Sequence, residues 1–416
     1  MSNHHSKINF QQSLIVMAGL GIVMMISGFL FNRVVSNIGF VLIGIFAISK
    51  LKSIQWLFRD SWMISFMALV ALPIISDIYM EGSLFYHHRG VMKLLLILFP
   101  SFVFALNAGR HMIRYVHYLI LCAVLISTCY SLHDYFIHID SIFYTYKISQ
   151  VMDTLSLGDH IRISWMTVIS IVIALYELLR SDAKYQKWML MLFILVQVVF
   201  LHLLGSKTGL ISLYLTALIL SYYLIPRPKK WLLPIAVLGV LSLPVIAYKT
   251  IPSLEQRFNF IKYDFEHYSQ GEYREGLSDA VRFYSLLAAK DIITDHPWTG
   301  VGFSKLQEST ESWYQKNIPE MGKENYFLPS SQWVIYWASA GILGFLVFTF
   351  HIIYPFFRKY LRKDPWFMAF FIPAIVSFTY ETHLEGQLPL FVYGFFVSWF
   401  WYLAYSYHQS NDESIN

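Results

Sequence analysis

Four residues at the start of an apolar run, Ser206-Lys207-Thr208-Gly209, have the composition of an anion-binding site. Ser206 can cap a helix, whose first backbone N–H groups are unpaired and carry the positive end of the helix dipole. Lys207 opposes that dipole by about 0.3–1 kcal/mol, and a bound phosphate would reverse the sign. The alternative is a lysine whose ammonium group reaches the membrane–water interface.

Two further places carry cations that can bind a phosphate. Arg282 lies in a helix-like run that starts at Ser278, and its guanidinium group can hold a phosphate through two parallel hydrogen bonds. The alternative is an ordinary surface charge on a loop helix. His160 and Arg162 precede another apolar run, where they are either a second phosphate contact or interfacial anchors.

Three ionisable residues, Glu381, His383 and Glu385, crowd the segment between the last two apolar runs. Ionisable groups at a lipid interface are costly without a function, so this segment is either the source of a general base or a solvated turn. The sequence contains no strong metal-ligand spacing, nucleotide-binding loop or nucleophile elbow. We therefore expect no metal, no cofactor and no nucleic-acid partner.

These candidate groups must be positioned by a chain of 416 residues that is 56% hydrophobic and only 14% charged. A soluble protein carries about a quarter charged residues, so this composition indicates burial in membrane lipid. Most apolar runs approach the roughly 20 residues that cross a bilayer. They occur at 13–32, 36–49, 61–78, 91–107, 115–132, 163–179, 187–205, 208–225, 231–248, 332–357, 366–380 and 388–406. The sequence predicts an all-α polytopic membrane protein of about twelve transmembrane helices.

The charges between the runs predict the orientation. With the N-terminus in the cytoplasm, every cytoplasmic connection carries lysine or arginine, as the positive-inside rule requires. A basic residue on the outside departs from this rule and calls for an explanation. Apart from those in one long loop, these residues are Arg33, Arg89, Lys93, Lys147, Arg162 and Lys207.

The one long hydrophilic stretch, residues 249–331, lies outside in this orientation. It divides the chain into nine transmembrane helices in 1–248, a large external loop in 249–331, and three transmembrane helices in 332–416. Because the loop contains the helix-like run of Arg282, we expect it to be folded rather than a disordered linker.

Five segments, in this order, resemble the O-antigen ligase and O-antigen polymerase superfamily of bacterial membrane glycosyltransferases. They are HIRISW (160–165), LLGSKTGLISLYL (203–215), SDAVRFYSLLAAKDIITDHPWTGVGF (278–303), SSQWVIYWASAGILGFL (330–346) and YETHLEGQ (380–387). The third is similar to the family signature of an arginine helix followed by proline and Gly-x-Gly. The fourth is similar to the family segment that re-enters the membrane.

The resemblance implies a glycosyltransferase C-like fold in the bacterial inner membrane, with the large loop and the active site facing the periplasm. It implies that a glycan moves from undecaprenyl diphosphate to lipid A core or a similar acceptor, without a metal or another cofactor. Carried over by position, Lys207 and Arg282 would hold the donor diphosphate. Ser206, Arg162 and His160 would add further contacts.

Two positions depart from the family pattern. The family usually has arginine where this chain has Lys207, and lysine keeps the charge but loses the planar fork. Where ligases typically have His-Asn, this chain has Ser330-Ser331. The family histidine is therefore replaced by Ser330, and the catalytic base must come from elsewhere. We assign it to His383 or Glu381, and further substitutes are His296 and Glu324.

Ligation is one of four functions compatible with these residues. A polymerase that lengthens the glycan on its carrier is the main alternative, and it is weakened less by the missing histidine. A transporter of lipid-linked glycans usually places ionisable residues near the bilayer midplane, whereas the candidates here lie at the outer ends of the runs. The fourth function is that of an inactive relative that binds the lipid carrier.

Overall fold

The computed structural model describes residues 2–80, 88–146, 151–155, 159–270 and 276–413. Within these ranges the regular structure is helical and contains no strand, which confirms the predicted all-α fold. Lys147, one of the basic residues that depart from the positive-inside rule, lies outside the described residues, as does the side chain of Arg89.

Among the described residues, the α-helices before Gly205 are α1 (Ser2–Phe31), α2 (Arg33–Ser49), α3 (Ser61–Tyr79), α4 (His88–Met92), α5 (Leu95–Leu106), α6 (Arg110–Ile137), α7 (Ile139–Tyr146), α8 (His160–Arg180) and α9 (Lys184–Leu204). Those after it are α10 (Lys207–Leu224), α11 (Leu233–Thr250), α12 (Pro252–Ser269), α13 (Ser278–Asp295), α14 (Leu306–Asn317), α15 (Gln332–Phe357), α16 (Lys359–Lys363), α17 (Pro365–Phe378) and α18 (Gln387–Glu413). Short 3-10 helices occur at Leu51–Arg59, Arg227–Leu232 and Lys323–Asn325.

Nine helical segments of the described chain are long and apolar enough to cross a bilayer. They are Gln12–Phe31, Ser61–Tyr79, Arg110–Ile137, His160–Arg180, Lys184–Leu204, Lys207–Leu224, Arg227–Thr250, Gln332–Phe357 and Gln387–Gln409. Helix α2 and the 3-10 helix after it form a tenth candidate that is bent by 89°. The apolar helices Gly90–Leu106 and Pro365–Phe378 are shorter than these nine segments. The chain is thus a multi-pass membrane protein, but the predicted number of about twelve spans is not confirmed.

Helix α18 forms the centre of the bundle, and 94% of its apolar segment is buried. Its Phe391 and Phe395 pack against Phe99 of α5, with ring centroids 6.1 and 5.9 Å apart. A helix that is apolar on all sides belongs in the middle of such a bundle. Helix α11 lies at the edge instead, where only 6% of the apolar segment that contains it is buried.

The Gly-x-Gly turn after α13 packs directly against a kink in α15. Gly341 has a φ of +62° at this kink, and a Cβ atom there would lie 2.1 Å from the carbonyl oxygen of Trp298. The backbone N–H groups of Val301 and Gly302 donate to the carbonyls of Ala338 and Ser339, at 2.9 and 2.8 Å. This backbone contact holds the end of α13 against the first half of α15.

The stretch between α11 and α15 folds into the helices α12, α13 and α14. Asp264 of α12 accepts hydrogen bonds from the backbone nitrogens of Asp279 at 2.7 Å and Ala280 at 3.1 Å. It therefore satisfies two of the unpaired N–H groups at the start of α13, and the start at Ser278 agrees with the sequence prediction. Phe260 and Tyr268 of α12 pack against a core of buried apolar residues that lie in and next to α13 and α14: Leu277, Ala280, Tyr284, Tyr314, Ile318 and Met321.

Candidate functional site

A cavity of about 550 Å³ lies between α13, α14, the start of α8 and the turn that joins α17 to α18. Its walls carry charged, hydroxyl and aromatic side chains together with backbone. The lining includes Ile161, Arg162, Gly276, Leu277, Ser278, Val281, Arg282, Gln307, Thr310, Glu311, Asn325, Tyr326, Phe327, Leu328, Ser330, Glu381, Thr382 and Glu385.

Four charged residues form what we term the clamp cluster: Lys207, Asp279, Arg282 and Glu381. Arg282 and Glu381 line the cavity, and Lys207 and Asp279 lie next to them without being among the lining residues. The Nη2 atom of Arg282 lies 2.7 Å from Oε1 of Glu381, and its Nη1 atom lies 4.0 Å from Oδ1 of Asp279. Lys207 donates to Oδ2 of the same Asp279. The fold thus brings together the two cations that the sequence singled out, although they are 75 positions apart.

Arg162 joins the start of α8 to the turn after α17. Its Nη2 atom donates to the carbonyl of Thr382 at 3.0 Å, and Arg162 and Thr382 both line the cavity. His160 is half-buried at the first residue of α8 and is not among the cavity-lining residues. Ser206 occupies the N-cap position of α10, but its hydroxyl lies 3.0 Å from that of Ser164 and makes no capping bond. The predicted capping bond of Ser206 is therefore wrong, because Ser164 of α8 takes the hydroxyl.

Glu381 and His383 occupy different surroundings in the same turn. Glu381 lines the cavity, whereas His383 is completely buried and is not among the lining residues. The Nε2 atom of His383 lies 2.5 Å from Oγ of Ser377, and its ring packs against that of Trp165 with centroids 4.4 Å apart. Burial and the positive charge of Arg162 lower the pKa of His383 well below its usual value, so the ring is neutral at pH 7.

Ser330, at the position of the family histidine, lines the cavity just before α15. Its hydroxyl lies 2.9 Å from that of Ser285, and its backbone nitrogen donates to the same Ser285 oxygen at 3.1 Å. Hydroxyl groups can donate and accept hydrogen bonds but are poor bases at neutral pH. Ser330 can therefore contact a sugar, and proton removal requires another group.

Sequence reasoning missed Asp279, one of the two anionic partners of the clamp. Asp279 lies three residues before Arg282, a spacing that places two side chains on one helix face and that could have signalled the pair. No local pattern indicates Arg257, which is buried on α12 and packs beside Gly205, just before α10. A Cβ atom at Gly205 would lie 3.7 Å from Cγ of Arg257. Arg257 adds positive charge close to Lys207.

The part of the chain that the structure describes contains no group of three or more His, Cys, Asp or Glu residues that could hold a metal ion. The ammonium group of Lys207 and the guanidinium group of Arg282 can instead bind a phosphate.

Comparison with known proteins identifies one family. The family model described as O-antigen ligase matches residues 190–349, a segment that contains Lys207, Arg282 and Ser330. No curated protein matches the chain. The family supports a glycosyltransferase-like enzyme with a ligase- or polymerase-type activity, whose partners in general terms are a lipid-linked glycan and an acceptor. The resemblance seen in the sequence is confirmed over residues 190–349, where this multi-pass membrane protein matches the O-antigen ligase family model.

Proposed function

We propose that this protein transfers a glycan from undecaprenyl diphosphate to a hydroxyl group of lipid A core or a similar acceptor. The reaction would take place at the periplasmic face of the bacterial inner membrane. The observation that carries the proposal is the clamp cluster, in which two cations and two carboxylates meet and two of the four residues, Arg282 and Glu381, line one cavity. The basic connections on the opposite side support this orientation.

Lys207 and Arg282 are the proposed donor-binding residues. Lys207 begins α10, so the unpaired N–H groups of that helix and the lysine charge favour the same anion. Arg282 can hold two phosphate oxygens with its planar fork. Ser206, His160 and Arg162, at or next to the first residues of α10 and α8, complete the proposed donor-binding region.

Glu381 is the proposed general base, because its carboxylate lines the cavity and lies beside Arg282. When the phosphate engages Arg282, the carboxylate is released to accept the proton of the attacking acceptor hydroxyl. The new bond forms between that oxygen and the anomeric carbon. The bond from the anomeric carbon to the diphosphate oxygen breaks, and its electron pair stays on the diphosphate. Lys207 and Arg282 stabilise this charge in a site of low dielectric constant.

His383 acts in this scheme through the turn that carries Glu381. Its ring bonds Ser377 at the end of α17 and packs against Trp165, so it fixes the backbone from which Glu381 projects. The scheme also assigns the leaving-group charge to side chains rather than to a metal ion. Transfer by the purified protein should therefore persist in EDTA, and a strict requirement for a divalent cation would contradict the scheme.

Polymerisation is the second candidate, and the serine at the position of the family histidine favours it. The glycans of a deletion strain separate the two functions, in a host that makes a polymeric glycan on the carrier. Loss of a ligase leaves long glycan on undecaprenyl diphosphate and bare core on the surface. Loss of a polymerase leaves core that bears a single repeat unit and no carrier-linked polymer, and this result would replace ligation with polymerisation.

A further inference from the structure

A second carboxylate of the cavity, Glu385, is held by a set of contacts separate from the clamp cluster. Its Oε1 atom accepts hydrogen bonds from Nζ of Lys93 at 2.7 Å and from Nε2 of Gln332 at 2.9 Å. The Oε1 atom of Gln332 in turn accepts a hydrogen bond from the backbone nitrogen of Leu384 at 2.9 Å. The carboxylate is therefore fixed in position from two sides.

Lys93 is an unusual partner, because its side chain is only 2% exposed. Its ammonium group lies 4.7 Å from the ring centre of Phe303 and 4.9 Å from that of Tyr336. Burial of a charge is costly unless it is paired, and here a carboxylate and two aromatic faces compensate it. Lys93 also departs from the positive-inside rule, and its contacts with Glu385 and the two rings account for its position.

The location of Glu385 does not suit a phosphate contact. Its carboxylate would repel a diphosphate. Lys93 is not among the cavity-lining residues, and its ammonium group is already paired with Glu385. The same cavity also exposes Glu311 and the hydroxyl group of Ser330. Carboxylates and hydroxyls accept hydrogen bonds from sugar hydroxyl groups, and carboxylates repel anionic ligands.

We propose that Glu385 is an acceptor-binding residue, whose carboxylate accepts hydrogen bonds from the hydroxyl groups of an uncharged sugar at the end of the acceptor glycan. Lys93 and Gln332 are positioning residues that hold this carboxylate. The proposal rests on the proposed transfer function and adds to it the class of the acceptor sugar. The donor diphosphate and the acceptor sugar thus bind to different groups of the same cavity.

Glu385→Gln tests the proposal with little change in shape. With the purified full-length chain, saturating donor and core–lipid A as acceptor, we expect the acceptor KM to rise about tenfold to a hundredfold, the range for one hydrogen bond to a charged group. The donor KM should stay within about twofold, because donor binding belongs to the clamp. Glu308→Gln, at an exposed residue of α14, is the matched control. An unchanged acceptor KM in Glu385→Gln would overturn the proposal.

An exchange of the two charges distinguishes sugar binding by Glu385 from a purely structural role of the Lys93–Glu385 ion pair. The double variant Lys93→Glu/Glu385→Lys keeps one buried ion pair but places an ammonium group at the cavity. We expect a folded protein, judged by its melting temperature in detergent, whose acceptor KM stays raised. Recovery of the wild-type acceptor KM would show that the ion pair only stabilises the turn between α17 and α18, and it would overturn the proposal.

A direct measurement of sugar binding tests the role of Glu385 independently of the proposed transfer reaction. Saturation-transfer NMR with a neutral disaccharide should give a signal with the wild type and with Arg282→Ala, but not with Glu385→Gln. Absence of transfer by the wild type would contradict the proposed function alone. Equal disaccharide signals from the wild type and Glu385→Gln would contradict the role of Glu385.

Discussion

The clamp cluster and a second group of ionisable side chains in the described part of the chain differ in what surrounds them. The clamp cluster borders a cavity of about 550 Å³. The side chains of Lys207 and Arg282 there are 26% and 33% exposed. Their carboxylate partners come from α13 and from the turn after α17, so a ligand that enters the cavity can replace them.

The second group is buried within the helix bundle. It consists of His117, Glu177 and Trp399, and we term it the interior cluster. The Nδ1 atom of His117 lies 2.6 Å from Oε1 of Glu177, and Nε1 of Trp399 donates to Nε2 of His117 at 3.0 Å. An indole nitrogen is only a donor, so Nε2 is the acceptor and Nδ1 carries the hydrogen that bonds Glu177. The side chains of His117 and Glu177 are only 1% and 6% exposed.

The difference shows that an ionisable group within a bundle is not by itself a sign of chemistry. In the interior cluster both ring nitrogens of His117 have partners on other helices, so it joins α6, α8 and α18. In the clamp cluster Arg282 and Glu381 line a space that a substrate can fill. Variants of the interior cluster should therefore change stability, and variants of the clamp cluster should change transfer.

The largest expected effect on transfer is that of Glu381→Gln. General bases contribute about 10²–10⁴-fold to rate, and we expect a decrease of that size in kcat. Binding of undecaprenyl diphosphate should persist, because Lys207 and Arg282 are unchanged. Glu308→Gln is the control, and kcat is measured at saturating donor and acceptor. Wild-type kcat in Glu381→Gln would remove it from the mechanism, and an equal loss in His383→Ala at unchanged melting temperature would assign the base to His383.

The next largest effects are expected from Lys207→Ala and Arg282→Ala. Loss of one charged contact to a buried anion costs about 2–5 kcal/mol by analogy with buried charge pairs, so each variant should fail to complement a deletion strain at normal protein levels. Lys207→Arg keeps the charge and should retain much of the activity. Lys290→Ala, at an exposed residue of the same helix as Arg282, is the control. Full complementation by both alanine variants would refute the phosphate role.

A third prediction concerns the sides of the membrane and should leave transfer unchanged. Cys122 and Cys129 are exposed, so both are first replaced by serine. Ser269→Cys, at the end of α12, should then react with an impermeant thiol reagent in whole cells with a permeabilised outer membrane. Lys363→Cys, at the end of α16, should react only after lysis. The reverse pattern would place the clamp cluster on the cytoplasmic side.

The sequence was most informative about helix positions, because a single apolar run or a single side chain at a helix start determines them. Each apolar run corresponds to a helix, and α13 starts at the predicted Ser278. The contacts of the site could not be predicted in the same way. Lys93 and Glu385 are 292 positions apart, and only packing brings their helices together. The turn between α17 and α18 shows the same limit, because its local sequence does not reveal that Glu381 faces the cavity while His383 is buried.

The smallest expected effect on transfer is that of Trp399→Phe, which tests the interior cluster. The substitution removes the donor to Nε2 of His117 and leaves that atom buried without its partner. Loss of such a hydrogen bond costs about 1–3 kcal/mol, so the melting temperature in detergent should fall by several degrees. Specific activity per folded molecule should stay at the wild-type level, because none of the residues of the cluster lines the cavity. Trp298→Phe, at a side chain that is 75% exposed, should change neither quantity. Should Trp399→Phe instead lower transfer at an unchanged melting temperature, the interior cluster would be part of the mechanism and the distinction between the two groups would fail.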